Sequence, residues 1–223
     1  YNIFSLKKIK SGNTLTVYIE GDGLAWLDRF TPSLDPTPIE PTAFKLALKD
    51  QNDNVIYLSR PCQYISGPSC NNAAVWTSSQ YSNAILSTYK SILEKLSADY
   101  QDIHLVGFSG GAAIAIFLAS EGLNIKSVRT VAGNINPDEL SQLLKLSSYN
   151  KEINFFSLED KIKNLPQTHY YGTKDKVIPI KLHLNYAKRN SINECTKIQS
   201  VKATHNDGWI EFWEENYQPK FDC

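Results

Sequence analysis

The chain has 223 residues, 42% of them hydrophobic, and its 23 lysines and arginines balance its 23 aspartates and glutamates. This length is enough to bury a large core, and the neutral charge disfavours nucleic acid or an anionic membrane as a partner. No apolar run has the length needed to span a bilayer. We therefore expect one globular domain over residues 1–223, with no integral membrane segment.

The first part of the chain alternates strand patterns with loops. The stretch "FSLKKIKSGNTLTVYIEGDG" predicts a β-hairpin, in which two strands are joined at residues 11–13 and the second strand covers 14–20. A proline-rich loop follows at 31–41, then a short helix near 42–48 and a strand at 54–61.

Helices and strands alternate in the rest of the chain. Helices are predicted at 82–100, 111–120, 137–146, 180–188 and 208–217, and strands at 103–106, 125–132, 196–203 and within 166–179. The polar stretch 150–165 predicts an irregular loop. This alternation predicts an α/β fold with a mostly parallel central sheet that helices cover on both faces.

The sequence "GFSGG" at 107–111 places Ser109 between glycines where a strand pattern becomes a helix pattern. In this context G-x-S-x-G is informative, because a nucleophile elbow strains its serine and needs small residues beside it. A P-loop would need Gly-Lys-Ser/Thr, and the glycine spacing is not that of a dinucleotide-binding loop. A glycine-rich turn that contains a serine by chance is the remaining alternative.

A serine nucleophile works with a histidine as its base. His205 lies in a loop after the last predicted strand, where it can reach back over the sheet. By contrast, His104 and His169 lie inside predicted strands, and His183 lies on a predicted helix. We therefore take His205 as the candidate base.

The histidine in turn needs a carboxylate that orients it. Asp175, in "HYYGTKDKVIP", follows a predicted strand and precedes His205 in the chain, so it is our candidate. The rivals are Asp160, in a segment that resembles an exposed loop, and Asp207, which is very close to His205 along the chain. Flanking lysines also allow Asp175 to be an ordinary solvated turn residue.

Two backbone N–H groups must stabilise the oxyanion in this chemistry. Gly110, directly after the serine, supplies one, and the early loop "EGDG" supplies the other, with Asp22 favoured and Gly23 next. The same loop begins like G-x-G-x-x-G, but Trp26 replaces the third glycine and disfavours a dinucleotide site.

Together these residues resemble the α/β-hydrolase superfamily, and more narrowly small exported bacterial α/β-hydrolases, a group that does not fix the substrate. The resemblance rests on "YIEGDG" with Trp26, "RPCQY" at 60–64, "GFSGG", "DKVIP" and "HNDGW". It implies the α/β-hydrolase fold and a catalytic triad of Ser109, Asp175 and His205. Many hydrolases have His-Gly at the oxyanion loop, whereas this chain has Glu20-Gly21. We expect the carboxylate of Glu20 to form an ion pair with Arg60.

The expected function is that of a serine hydrolase, resembling carboxylesterases, that cleaves an ester or related acyl bond of a small molecule through an acyl-enzyme. This chemistry needs neither a metal nor an organic cofactor, and we expect a monomer. Only a short helix and a loop separate 131 from 166, so we expect a minimal cap, with Tyr64 and Trp76 along one wall. The alternatives are a peptidase or thioesterase with the same triad, or a binding protein that has lost catalysis.

Four cysteines favour two disulfides, and none forms the CxxC pair of zinc or thioredoxin-like sites. Three connectivities are possible, and we favour the local pairs Cys62–Cys70 and Cys195–Cys223. The chain starts at Tyr1 and contains no methionine, which fits a form from which a signal peptide has been removed. These features predict a secreted or periplasmic bacterial protein.

Overall fold

The computed structural model describes residues 1–146, 152–190, 194–217 and 223. The strands of this described part are β1 (Ser5–Lys8), β2 (Thr14–Ile19), β3 (Val55–Leu58), β4 (Asp102–Phe108), β5 (Ile125–Val131), β6 (Gln167–Gly172) and β7 (Thr196–Val201). Its α-helices are α1 (Thr42–Lys49), α2 (Asn83–Asp99), α3 (Gly111–Ala119), α4 (Pro137–Leu144), α5 (Phe155–Ile162), α6 (Ile180–Arg189) and α7 (Trp209–Asn216). Two 3₁₀ turns, Pro68–Cys70 and Ala73–Trp76, precede α2.

The strands form a single sheet in the order β1-β3-β2-β4-β5-β6-β7. The six strands from β2 to β7 run parallel, and β1 alone among the described strands runs antiparallel, beside β3. This arrangement confirms the predicted α/β class, since parallel strands need helical crossovers on the faces of the sheet.

The predicted hairpin of β1 and β2 is wrong. Ser5 lies opposite Leu58 of β3, while β2 lies between β3 and β4. Because β2 is paired on both edges, it has no free edge for β1. All four residues of β1 are exposed, whereas five of the six residues of β2 are buried, so the more polar strand lies at the edge.

Each face of the sheet packs against its own hydrophobic core. Leu15, Val17 and Ile19 of β2 pack with α2, α3, α5 and α6 on one face. Tyr18 points to the other face, where α1 and α7 bury Trp213 against it. The alternation of side chains along one buried strand thus builds both helical layers.

The stretch 150–165 contains a helix, so the predicted irregular loop is wrong over α5, whereas residues 150 and 151 lie outside the described residues. The side chain of Asn154 accepts a hydrogen bond from the N–H of Phe156 at 3.1 Å and caps the helix. Phe155, Leu158 and Ile162 are buried at helical spacing, and this apolar face outweighs the polar composition of the segment.

The cysteines form the two local pairs, Cys62–Cys70 and Cys195–Cys223, that the sequence favours over the other connectivities. Such bonds are compatible with an extracellular protein. Within the described ranges, no helix combines the length and the apolar character that crossing a membrane requires.

Candidate active site

Ser109 lies in the turn between β4 and α3, with its backbone in the left-handed region. Its φ is 48°, a conformation that costs a residue with a Cβ about 1–2 kcal/mol. The turn is closely packed on both sides. A Cβ on Gly107 would lie 2.5 Å from the Cα of Ala112, and one on Gly111 would lie 2.3 Å from the carbonyl oxygen of Ile19. Only glycine fits at these two positions, as a nucleophile elbow requires.

Three side chains from three loops form a continuous series of hydrogen bonds. The Oγ of Ser109 lies 3.0 Å from Nε2 of His205. Nδ1 of the same imidazole lies 2.9 Å from Oδ2 of Asp175. The loops follow β4, β7 and β6, whose carboxyl ends lie at one edge of the parallel sheet. The structure therefore brings together the three residues that the sequence indicates.

Asp175 is fixed from two sides. Its Oδ1 accepts the backbone N–H groups of Val177 at 2.7 Å and Ile178 at 3.0 Å, and its Oδ2 faces His205. Burial by itself raises the pKa of Asp175, but the imidazole and the two backbone donors outweigh burial, so this pKa lies below its ordinary value. The ionised carboxylate favours the tautomer in which Nδ1 carries the proton and Nε2 is free to accept one from the serine.

The two rival acids lie elsewhere. Asp207 forms hydrogen bonds within its own turn. Its Oδ2 accepts a hydrogen bond from the hydroxyl group of Thr204 at 2.9 Å, and its backbone N–H donates to the Oγ1 atom of Thr204 at 3.0 Å. Asp160 is exposed on α5. Of the three candidates, Asp175 is the one that hydrogen-bonds His205.

The other histidines are buried in the sheet and in α6. His104 bonds to the Oγ of Ser127 at 2.7 Å, and His169 to that of Thr130 (Oγ1) at 2.9 Å. Burial lowers the pKa of His169 to about 3 and that of His183 to about 4. These values keep both imidazoles neutral at neutral pH.

The peptide unit between Ser109 and Gly110 is held by its carbonyl group. This oxygen accepts the N–H groups of Asn134 at 2.9 Å and Ala112 at 3.1 Å. In a planar trans peptide the N–H points opposite to the C=O. The N–H of Gly110 therefore points away from these donors, and no described residue provides it with an acceptor.

The loop after β2 contains the other predicted donors. The carbonyl of Gly21 accepts the side-chain amide of Gln63 at 3.0 Å. Neither Asp22 nor Gly23 has a described acceptor for its backbone N–H. Gly23 has a φ of 63°, and a Cβ there would lie 2.1 Å from the carbonyl oxygen of Pro36. Three backbone N–H groups, that of Gly110 in the serine turn and those of Asp22 and Gly23 in the loop after β2, thus have no acceptor among the described residues.

The predicted pair of Glu20 and Arg60 is wrong. Arg60 instead binds the carboxylate of Asp22, with 2.8 Å between Nη1 and Oδ1. Glu20 accepts the backbone N–H groups of Ala43 at 3.2 Å and Phe44 at 3.4 Å, at the start of α1. Burial raises the pKa of Glu20, although these donors oppose the change. The N–H groups in the first turn of α1 have no partner within the helix and attract this carboxylate. No residue pattern in β2 reveals this contact.

A cavity of about 530 Å³ opens beside Ser109 and His205. It has the size of a small-molecule site. Apolar side chains form much of its wall: Leu24, Ala25, Trp26, Ile39 and Val177. None of the described residues between β5 and β6 lines it, in agreement with the minimal cap that we expected.

Tyr64 and Trp76, expected beside the serine, line a different cavity of about 570 Å³. The backbone turns sharply here, with φ values of 69° at Cys62 and 61° at Tyr64. This turn directs the disulfide loop toward the proline-rich loop instead of toward Ser109. The expected aromatic wall is therefore wrong.

Sequence reasoning missed the contribution of Gln63 to this region. Its side-chain amide donates a hydrogen bond to the Gly21 carbonyl, although 42 residues separate the two in the chain. The available signal was topological. β2 and β3 are parallel neighbours, so the residues that follow them meet at the same edge of the sheet.

Comparison with known proteins gives structural matches alone. No family model matches the chain, and no curated protein matches its sequence. Est1E from Butyrivibrio proteoclasticus is similar at a TM-score of 0.67 and 12% identity, over 96% of this chain and 90% of that one. The esterase Pf2001 of Pyrococcus furiosus is similar at a TM-score of 0.64 and 15% identity, over 96% and 88%. A lipase-esterase related protein of Clostridium acetobutylicum is similar at a TM-score of 0.62 and 15% identity, over 96% and 97%.

These likenesses extend over nearly the whole sheet and its helices, at identities that establish the fold and no more. They agree with a mostly parallel seven-stranded sheet that is surrounded by helices. The chain has the fold of the α/β-hydrolase superfamily.

Proposed function

We propose that this protein is a serine hydrolase that cleaves a carboxylic ester or a related acyl bond through an acyl-enzyme. The observation that carries the proposal is the series of contacts from Ser109 Oγ to His205 Nε2, at 3.0 Å, and from His205 Nδ1 to Asp175, at 2.9 Å. A nucleophile, a base and an orienting acid in this order are the parts that acyl transfer needs.

The reaction begins when Ser109 Oγ attacks the carbonyl carbon and gives its proton to His205 Nε2. Asp175 stabilises the imidazolium that forms, and the N–H groups of Gly110 and of Asp22 or Gly23 bind the oxyanion. His205 then donates the proton to the leaving oxygen as the tetrahedral intermediate collapses. Water then gives a proton to His205 Nε2 as it attacks the carbonyl carbon of the acyl-enzyme, and the imidazolium returns that proton to Ser109 Oγ as the acid is released.

The cavity favours an uncharged, apolar acyl group. Its wall is largely aliphatic and aromatic, and the charged residues that line it, Glu20, Asp22 and Glu40, are acidic. No lysine or arginine is among the described residues that line the cavity, so an anionic acyl group would find no cationic side chain to pair with. Est1E has been observed with ferulic acid bound, so a hydroxycinnamate ester belongs in a substrate panel.

The first test is active-site labelling with a fluorophosphonate probe, which reacts with an activated serine. We expect one label per chain, on Ser109, and none in Ser109→Ala. Ser127→Ala is the matched control, because Ser127 also contacts a histidine, at 2.7 Å, but is fully buried in the sheet. An unlabelled but folded wild-type protein would overturn the proposal.

The second test separates the acyl bonds. We expect turnover of short and medium acyl esters, and its complete loss in Ser109→Ala with the circular dichroism spectrum unchanged. Aminoacyl amides and thioesters are measured in parallel. Faster turnover of amides would assign a peptidase, and faster turnover of thioesters a thioesterase.

A further inference from the structure

We propose that Gln63 is the positioning residue of the oxyanion site, because it fixes the direction in which the N–H of Asp22 points. The inference rests on the proposed function, since it assumes that this N–H binds a developing oxyanion. Gln63 lies in the loop that follows β3 and is not among the residues that line the cavity beside Ser109.

Gln63 orients one peptide unit of the loop after β2. The side-chain amide of Gln63 donates to the carbonyl of Gly21 at 3.0 Å. That carbonyl belongs to the same planar unit as the N–H of Asp22, so the two groups point in opposite directions. Gln63 is fully buried, whereas Asp22 lines the cavity beside Ser109. A carbonyl held toward Gln63 therefore directs the N–H toward the cavity.

The side-chain amide of Gln63 is itself held in one orientation. Its Oε1 accepts the backbone N–H of Arg60 at 2.9 Å. A side-chain amide that accepts at oxygen must present its nitrogen on the other side, and that nitrogen faces the Gly21 carbonyl. Both ends of the amide therefore have a partner. A flipped amide would place its oxygen against the Gly21 carbonyl and its nitrogen against the Arg60 N–H.

Arg60 holds the side chain of the residue whose peptide unit Gln63 orients. This buried guanidinium binds the carboxylate of Asp22 at 2.8 Å and both the carbonyl and Oε1 of Gln80, at 3.1 and 3.0 Å. A Cβ on Gly110 would lie 1.8 Å from the same carboxylate, so the Asp22 side chain fills the space directly beside Gly110. Arg60 therefore holds the side chain of Asp22, and Gln63 holds its peptide unit. Together they keep the N–H groups of Asp22 and Gly110 adjacent.

The experiment compares Gln63→Glu with Gln167→Glu. A carboxylate at position 63 still accepts the Arg60 N–H but repels the Gly21 carbonyl instead of donating to it. Gln167 is the matched control, because it is fully buried and its amide also donates to a backbone carbonyl, that of Ile162, at 2.9 Å. Turnover is measured per active site, by titration with the fluorophosphonate.

We expect kcat of Gln63→Glu to fall about 10- to 100-fold with KM little changed, because oxyanion donors act on the transition state. The inhibition constant of a boronic acid, which Ser109 Oγ converts to a tetrahedral anion, should rise by the same factor. Gln167→Glu should keep both values. A kcat and an inhibition constant for Gln63→Glu that match those of Gln167→Glu would overturn the inference while leaving the proposed function intact.

A measurement on the wild-type protein keeps the inference testable if Gln63→Glu does not fold. The backbone amide resonances are followed by NMR as the boronic acid binds. We expect the amide protons of Asp22 and Gly110 to move downfield, as they acquire an anionic acceptor. A shift at Gly110 without one at Asp22 would overturn the role of Gln63, and a wild-type protein that hydrolyses no ester and is not labelled would overturn the proposed function and the inference together.

Discussion

The backbone of Ser109 is strained, and this conformation places the Oγ atom beside His205. The left-handed φ of 48° turns the side chain out of the sheet edge, where the Oγ meets His205 at 3.0 Å. The surrounding bonds hold this conformation, since the serine carbonyl accepts two backbone N–H groups and the serine N–H donates to Val131 at 3.0 Å. Strain of this kind persists where the neighbouring structure over-determines it.

The role of Asp175 can be tested with its amide. In Asp175→Asn the pair of backbone donors at Oδ1 can be kept, but the group that faces His205 no longer carries a charge, and an amide nitrogen there would favour the wrong imidazole tautomer. We expect kcat to fall about 10³- to 10⁴-fold with the fold intact, as measured by ester hydrolysis and thermal melting.

Asp207→Asn is the control for that substitution. Asp207 lies two residues from His205 but bonds to Thr204, and Asn can make the same turn. We expect its kcat to stay within about threefold of the wild type, since surface changes away from a site have small effects. If Asp207→Asn lost as much activity as Asp175→Asn, the assignment of the acid would be wrong.

The three candidate triad residues could be predicted from the sequence, because their residue types and their order along the chain were enough to select them. Ser109, Asp175 and His205 each follow a strand and occur in a recognisable order, so a linear search finds them. Arg60 was assigned to the wrong carboxylate, because Glu20 and Asp22 lie two residues apart in the chain. The partners of Glu20 are in α1, and the partner of Asp22 lies in the loop after β3. The choice between two nearby acids depends on which tertiary partner each one faces.

At the scale of the elements, most boundaries follow from periodicity, and the errors have separate causes. The predicted hairpin failed because pairing depends on which edge of β2 is free, and the pattern of a single strand does not contain that information. α5 was missed because its buried residues, Phe155, Leu158 and Ile162, are few among polar neighbours. Both errors concern tertiary contacts that override local composition.

Three helices are joined by one arginine, and this gives a prediction about stability. Arg189 of α6 binds Glu139 of α4 and Glu159 of α5, each at 2.8 Å, and both glutamates are buried to more than nine-tenths. In Arg189→Met the two carboxylates would lose their cationic partner and keep only neutral amide donors, while they remain in the interior. We expect the free energy of unfolding, measured with urea, to fall by about 3 kcal/mol.

Lys126→Met serves as the comparison. Lys126 pairs with Asp102 at 3.6 Å, but both side chains are about half exposed. Water already screens this pair, so its loss should cost less than about 1 kcal/mol. An equal effect of the two substitutions would mean that burial of the glutamates does not decide the strength of the α4–α5–α6 contact.

In the whole molecule, the apolar core and the polar groups of the site occupy different places: the core lies on the faces of the sheet, and the site lies at one edge. The interior around α3 is apolar, and its residues 111–118 are all buried. The polar groups of the site lie instead at the carboxyl ends of the strands, where loops from β2, β3, β4, β6 and β7 meet. Other polar side chains are buried away from the site, and two of them, His169 and His183, connect the stability of the molecule to pH.

Acid should destabilise the protein before its carboxylates are protonated. Burial lowers the pKa of His169 to about 3 and of His183 to about 4, from an ordinary value of 6.5, although Asp175 partly opposes the change at His183. Below pH 6.5 the unfolded chain binds protons that the folded chain does not, so the free energy of unfolding falls as the pH falls. At pH 5 we expect a loss of about 2 kcal/mol for each histidine, seen as a lower urea midpoint.

His183→Leu isolates one half of this effect. Neither ring nitrogen of His183 has a hydrogen-bond partner among the described residues, so leucine removes the titration without breaking a bond. We expect the loss between pH 7 and pH 5 to fall to about half in this variant, because only His169 then titrates in that range by this mechanism. The full loss in His183→Leu would instead assign the acid sensitivity to other groups. In that case the neutral imidazole beside Asp175 would contribute packing to the molecule and no dependence on pH.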